Sequence, residues 1–404
     1  MRRNRELVAV LAASTVSSLG SQMTFLALPW FVLVTTGSAA RMGVVLAVEL
    51  LPVALLGIPS GGLVARIGAR ATMIAGDLAR VPLMVSIPVL HAAGLLSFPV
   101  LLVAVFGIGC FLAPYFSSQR LILPELVGDD ERTVAQANAL LEGAQRTTAL
   151  IGPATAGVLI SVIGATNVLY VDAATFLLSG LTLALFTGRR PPLPASDGGR
   201  GVLAGVRFVV GDRLLAPLAA TSLVLNAFGQ MLAASLPVLA YQEYGGSSRV
   251  AGAFFAAFGA GAVVGSVAAV RLVPRFEPLR LATVSLLALT LPIWILGLDV
   301  PAAGVIAVLF VSSIFGPLVN APLIGLITMR TPEAIRAKVM SAVITFALLA
   351  GPVGLLVVGP LLEVWGARPV FLLVAGGQMT AALFFAAVVL RRFGLARPAP
   401  AEGV

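Results

Sequence analysis

Roughly twelve apolar runs, each near the 20 residues needed to cross a hydrocarbon core, follow one another along this chain. They fall near 8–35, 42–65, 71–91, 95–117, 136–163, 167–187, 214–240, 250–271, 280–298, 302–326, 339–363 and 367–390. A backbone in lipid must satisfy its own polar groups within each segment, so each run is expected to be a helix. The 404 residues are 59% hydrophobic and 11% charged, against about 25% charged in folded soluble chains. With a mean hydropathy of +1.04, the chain reads as an all-α integral membrane protein whose partner is the lipid bilayer.

The net charge of +9 does not indicate nucleic acid. Its basic residues are Arg with the single exception of Lys338, and they cluster in alternate loops. Arg2, Arg3 and Arg5 precede the first run, Arg66 and Arg70 follow the second, and Arg120 and Arg132 follow the fourth. The central connection, the loops after the eighth and tenth runs, and the segment after the last continue the pattern. The opposite loops hold only Arg41, Arg249 and Arg368. The positive-inside rule then places both termini in the cytoplasm of a cell whose inner membrane the chain spans.

One cysteine, Cys110, and one histidine, His91, leave no material for an internal disulfide, a thiolate metal cluster or a histidine-based catalytic set. No phosphate-binding loop is present, so neither an enzyme nor an ATP-driven pump is expected, and no cofactor or metal is implied. The apolar run behind Met1–Leu7 is too long for a signal peptide and lacks a small-residue cleavage site, which makes it a retained first helix.

The chain also repeats itself. Gln22-Met23 and Leu28-Pro29 return as Gln230-Met231 and Leu236-Pro237. Gly152, Gly157, Leu159, Gly164 and Ala165 return in the same spacing as Gly354, Gly359, Leu361, Gly366 and Ala367. Such echoes mark two bundles related by a pseudo-two-fold axis, able to rock about a central cleft. An Arg-, Pro- and Gly-rich stretch at 188–212 divides them, with a short amphipathic helix expected around 202–210. The expected organisation is a bundle over 1–187, a cytoplasmic linker over 188–212, a second bundle over 213–391 and a disordered tail over 392–404.

Within this layout, Gly61-Gly62-Leu63-Val64-Ala65-Arg66-Ile67-Gly68-Ala69-Arg70 resembles the cytoplasmic signature G-x-L-A-D-R-x-G-R-R of the major facilitator superfamily. Gly61, Leu63, Arg66, Gly68 and Arg70 match, whereas Ala65 stands in the acidic position and Ala69 in a basic one. Gly152-Pro153-Ala154-Thr155-Ala156-Gly157 resembles the G-P-x-x-G-G element of the superfamily's antiporters. In the second half, Gly261, Gly265 and Arg271 keep a degenerate trace of the first signature. The likeness covers nearly the whole chain and is strongest to the drug- and siderophore-exporting branch, which includes the enterobactin exporter and the macrolide efflux pumps. It implies twelve transmembrane helices in two pseudo-symmetric six-helix bundles, the major facilitator fold. It also implies that the missing acid weakens the latch between the halves on the cytoplasmic side, or that another carboxylate supplies it.

Ionisable residues inside spans cost on the order of 3 kcal/mol each at a helix centre and so point to mechanism. Glu49 lies in the second run, the Asp77 and Arg80 pair in the third, the Glu142 and Arg146 pair in the fifth, and Asp172 in the sixth. The pairs share a helix face and can serve as static bridges. Alternatively, a desolvated carboxylate takes up a proton and surrenders it when an arginine approaches. Glu49 has no basic partner on its own helix and is the leading coupling candidate; Glu142, placed nearest mid-helix, is second.

Substrate contacts are sought on polar stripes. Ser14, Ser18, Ser21, Gln22 and Phe25 share a face, as do Ser222, Asn226 and Gln230. Gln22 and Gln230 would present an amide from each half, or else fasten helices together. Phe25, Trp30, Phe228, Phe254, Phe255 and Phe258 would make the walls greasy, suiting a lipophilic or amphipathic ligand over a sugar. The reading is a monomeric, proton-coupled antiporter that exports such small molecules by alternating access. Its rivals are a nutrient importer or facilitator of the same fold and a non-transporting membrane scaffold or sensor.

Overall fold

A computed structural model describes residues 5–128, 130–188, 202–332 and 335–393. The first six helices are α1 (Arg5–Thr36), α2 (Ala39–Ile67), α3 (Ala69–Ala92), α4 (Phe98–Val127), α5 (Glu131–Ile163) and α6 (Ala165–Phe186). A short α7 (Val202–Gly211) leads to α8 (Leu215–Glu243), α9 (Ser248–Leu272), α10 (Pro278–Thr290), α11 (Ala302–Arg330), α12 (Arg336–Trp365) and α13 (Ala367–Phe393). Eleven helical stretches are long and apolar enough to span a membrane, and α12 is the twelfth, with a shorter described apolar part at Leu349–Trp365. The short helix expected at 202–210 is α7, whose Val209 is buried. Most of the expected linker, and the tail beyond Phe393, lie outside the described residues.

Several helices overrun the apolar runs. The fourth run closes near 117, yet α4 continues to Val127, because helical hydrogen bonding does not stop where hydrophobicity does. The ninth run is interrupted: α10 ends at Thr290 and a 3-10 turn, Pro292–Gly297, completes the crossing. Pro292 lacks the N–H that would continue the α-helical ladder.

Helices α1–α6 pack into one bundle and α8–α13 into another. Across the middle, α2 lies along α12 and α5 along α9. The repeated glycines explain both crossings. Gly157 faces Gly252 of α9, and a β-carbon on Gly157 would stand 2.8 Å from Gly252 Cα and 2.6 Å from the Ser248 carbonyl oxygen. Gly359 and Gly43 repeat the arrangement: a β-carbon on Gly43 would lie 2.9 Å from Gly359 Cα. The paired caps Gly164 and Gly366 hold φ of 83° and 76°, a region glycine adopts without steric cost, and each ends its helix beside the seam. Both crossings lie at the end of the bundle remote from the chain termini, called here the far end.

Polar bonds reinforce this far-end seal. The Glu363 carboxylate on α12 accepts from Ser38 Oγ at 2.8 Å and from the Ala40 amide at 3.0 Å, so it caps α2 from the other half. On the second seam, Ser248 Oγ donates to the Gly157 carbonyl at 3.0 Å and Arg249 Nε donates to Ser161 Oγ at 2.8 Å.

Candidate transport site

Beneath the far-end seal a small cavity of about 60 Å³, partly open to solvent, lies between the two halves. Phe25 and Pro29 of α1 face Ala233 and Pro237 of α8, and Leu46 of α2 faces Phe255 of α9. These are equivalent positions in the two repeats, so the cavity sits on the pseudo-two-fold axis. Phe25 and Phe255 meet edge to face, with centroids 5.5 Å apart and planes at 77°. Glu49, Leu50, Gln230, Ala234 and Leu355 complete the lining. Glu49 is half-buried and makes no side-chain hydrogen bond or ion pair among the described residues. It sits six residues, about 9 Å, below Gly43 on α2. Its backbone is pinned where Gly109 of α4 lets the Glu49 carbonyl approach closely.

The sequence matches the transmembrane secretion effector family, a branch of the major facilitator superfamily, over residues 3–400. The chain belongs to this family. The multidrug efflux pump Tap of Mycolicibacterium fortuitum is 27% identical over 380 residues, covering 91% of each chain. Tap of Mycobacterium tuberculosis H37Rv is 26% identical over 380 residues, 91% of this chain and 89% of the relative. Among solved structures, a bacterial homologue of the human lysosomal transporter Spinster superposes with a TM-score of 0.76 at 16% identity, covering 96% of this chain and 97% of that one. The nucleoside transporter NupG gives 0.75 at 14%, covering 95% and 98%. At these identities the structures show the fold alone. The secretion effector is thus a multi-pass membrane transporter of the major facilitator fold.

The remaining three candidate acids, Asp77, Asp172 and Glu142, occupy different settings. Asp77 and Arg80 are wholly buried within the first bundle and bonded at 2.5 Å. Asp77 also accepts from Ser17 at 2.9 Å and Ser179 at 2.6 Å, while the guanidinium of Arg80 lies over the rings of Tyr115 and Phe176. This node ties α1, α3, α4 and α6 together, and every charge in it has a partner. Asp172 is also fully buried, accepting from Thr24 at 2.5 Å and from Thr175 at 3.1 Å. Gly20 leaves the room for that contact.

Glu142 departs from expectation. It pairs with Arg146 at 2.8 Å, but the two side chains are 64% and 55% exposed. Its mid-helix position does not desolvate it, because this face of α5 is not covered by a neighbour. Arg146 reaches across to Ser266 on α9 at 3.1 Å.

The polar stripes divide as well. Gln230 lines the cavity, whereas Gln22 does not: its β-carbon packs onto Gly152 of α5. The expected matched pair of amides is therefore a single amide. Ser18 bonds Thr148 Oγ1 at 2.8 Å and fastens α1 to α5, and Asn226 is exposed and bonds the Ser222 carbonyl at 2.9 Å. Pro153 lies inside α5, and its carbonyl faces Gly252.

At the signature, Gly68 takes a φ of 91° to turn α2 into α3. Gly61 and Leu63 lie on the last turns of α2, with Leu63 and Arg66 exposed. Arg70 donates to Thr187 Oγ1 at 2.8 Å, to the Thr187 carbonyl at 3.1 Å and to the Ala184 carbonyl at 2.9 Å. It thus binds the C-terminal carbonyls of α6, where a cation is favoured. Gly261 and Gly265, the degenerate trace in the second half, serve close packing of α9 on α11. Sequence reasoning missed Gly43, Gly252 and Glu363. The first two were detectable as the small-x-x-x-small spacings Ala39–Gly43 and Ser248–Gly252.

Proposed function

We propose that this chain is a proton-coupled antiporter that exports lipophilic or amphipathic small molecules by alternating access, as a monomer with both termini in the cytoplasm. The bundles 1–187 and 213–391 are its rocking units, 188–212 the connecting linker and 392–404 the tail. The observation that carries this reading is the apolar cavity on the pseudo-two-fold axis, with the unpartnered carboxylate of Glu49 in its wall. A midplane site between repeats is where alternating access needs its ligand. With the far end sealed, the described state would load from the cytoplasmic side. The multidrug efflux pumps among its relatives agree with this direction.

Glu49 is the leading proton carrier because it has no fixed counter-charge to hold it in one state. Asp77 and Arg80 neutralise each other and serve as a structural node, Asp172 is held by two hydroxyls, and the Glu142–Arg146 pair is exposed. Phe25 and Gln230 would touch cargo. Ser18 and Gln22 support α1 against α5, and Asn226 is exposed on α8.

Uptake into inside-out vesicles tests this with lipophilic cations, macrolides and siderophores. Accumulation that collapses with a protonophore, survives Glu142→Gln and fails in Glu49→Gln is the expected result. Protonophore-insensitive equilibration of a nutrient would replace the exporter with a facilitator.

A further inference from the structure

We infer that the cavity reads hydrogen-bond donors on an uncharged cargo head group through two backbone carbonyls, those of Phe25 and Ala233, which Pro29 and Pro237 release from their helices. The inference rests on the exporter reading and adds to it the recognition chemistry of the cargo.

The repeated Leu28-Pro29 and Leu236-Pro237 are the starting point. Both prolines lie inside their helices, α1 and α8. A proline has no N–H, so the carbonyl four residues earlier loses its α-helical partner. Those carbonyls belong to Phe25 and Ala233. Other helices also contain prolines, among them Pro82, Pro114, Pro153 and Pro317. Only Pro29 and Pro237 line the cavity, and in both cases the residue four earlier lines it too. Residues four apart share a helix face, so each released carbonyl lies on the face turned to the cavity. The side chains at the two equivalent positions differ, Phe in one half and Ala in the other, whereas the proline that frees the carbonyl is the same. The two halves therefore present matched acceptors across the pseudo-two-fold axis.

The hydroxyls nearest in sequence are committed elsewhere. Ser21 donates to the Ser17 carbonyl at 3.0 Å, Thr24 to Asp172 at 2.5 Å, and Ser235 to the Met231 carbonyl at 2.7 Å. A desolvated acceptor without a partner is costly, so these carbonyls bond either to water or to a donor on the ligand. Displacing that water with a group that cannot donate loses the bonds. Gln230 adds one carboxamide, which both donates and accepts, and Glu49 adds a carboxyl. Acceptors thus outnumber donors in the wall.

The remaining lining, with the Phe25–Phe255 pair, Leu46, Leu50 and Leu355, offers apolar contact. At about 60 Å³ the cavity has room for a head group and not for a drug-sized molecule. A head bearing N–H or O–H donors satisfies both carbonyls. An ether, ester or tertiary amide head, which only accepts, strands them.

The test uses the full chain in lipid nanodiscs and two neutral probes of like shape, para-biphenol and its dimethyl ether, with binding to empty nanodiscs subtracted. The diol should bind about tenfold more tightly, the order expected when a buried acceptor keeps its partner. Pro29→Ala and Pro237→Ala each return an N–H to the helix, which then takes the carbonyl. Each should cut the preference for the diol about threefold, and the double variant should abolish it. Binding of the ether should stay unchanged in all three, which also shows that they are folded. Pro124→Ala, on the last turn of α4 and outside the lining, should leave the preference intact. The inference is overturned if the diol shows no saturable binding or if the double variant keeps the preference. It is equally overturned if the double variant weakens both probes alike, since the prolines then only shape the cavity, or if Gln230→Leu alone abolishes the preference. Proton-driven vesicle export combined with any of those results leaves the exporter standing and removes only the carbonyl pair. A preference that follows the prolines in a chain exporting no compound removes the exporter and keeps the carbonyl pair.

Discussion

Gly157 of α5 and Gly252 of α9 are in backbone contact across the two halves: a β-carbon on Gly252 would lie 3.0 Å from Gly157 Cα and 2.9 Å from the Pro153 carbonyl oxygen. Two bundles meet here with no side chain between them. Overpacking a tight contact costs about 1–3 kcal/mol, and only the closed far end would bear that cost. Gly252→Leu should therefore raise the far-end-open population by on the order of 5- to 150-fold. Spin-label distances across the far end would show it, and unchanged distances would mean that the glycine seam does not hold the gate.

Glu363 adds a charge to the same seal by capping α2 through Ser38 and Ala40. A charge at an exposed helix N-terminus is worth about 0.3–1 kcal/mol. Glu363→Gln should favour far-end opening by about two- to fivefold, less than Gly252→Leu in the same distance measurement.

The Asp77–Arg80 node behaves as structure. Removing one member of a buried pair costs about 3–5 kcal/mol by stranding the other charge. Asp77→Ala should lower the yield of monodisperse protein in detergent and its melting temperature. The combined Asp77→Leu and Arg80→Met variant should recover part of both. Normal folding of the single variant with lost coupling would instead make Asp77 the proton carrier.

Arg70 ties the α2–α3 turn to the end of α6. Hydrogen bonds from a charged group contribute about 1.5–3 kcal/mol, so Arg70→Ala should speed amide exchange at the α6 C-terminus and lower the melting temperature. Arg70→Lys should recover part of the loss, because a point charge cannot span both carbonyls.

Asp130, exposed in the loop before α5, accepts from the Thr133 amide at 2.9 Å and also from its hydroxyl. These bonds hold its carboxyl below the usual range, the hydroxyl contributing most. A depressed folded value stabilises the first turn at pH above the unfolded value, and the benefit is lost as pH falls through the folded one. Exchange at the Thr133 amide, corrected for its intrinsic pH dependence, should accelerate only in strong acid. Asp130→Asn, which keeps the cap, should remove that acceleration.

Much of this architecture was legible from Gln22 to Gly366. The repeats placed Gly157 and Gly359, one glycine of each seam, and the composition of 202–210 announced α7. Depth was not legible. Glu142 and Asp77 each precede an arginine by one turn, yet one pair is open to solvent and the other is enclosed by Ser17, Ser179 and Tyr115. Spacing along a helix fixes which face a residue takes, but not which neighbour covers that face.

The sequence by itself determined the solvent, the helices and the two-fold repeat, because backbone satisfaction in lipid is local and repeated residues must build repeated shapes. Only the tertiary structure decided which members of that repeat meet. Gln22 settled onto Gly152 while Gln230 entered the cavity. Glu49 was left facing the other bundle without a counter-charge, since contacts between segments distant in sequence depend on the relative placement of whole helices.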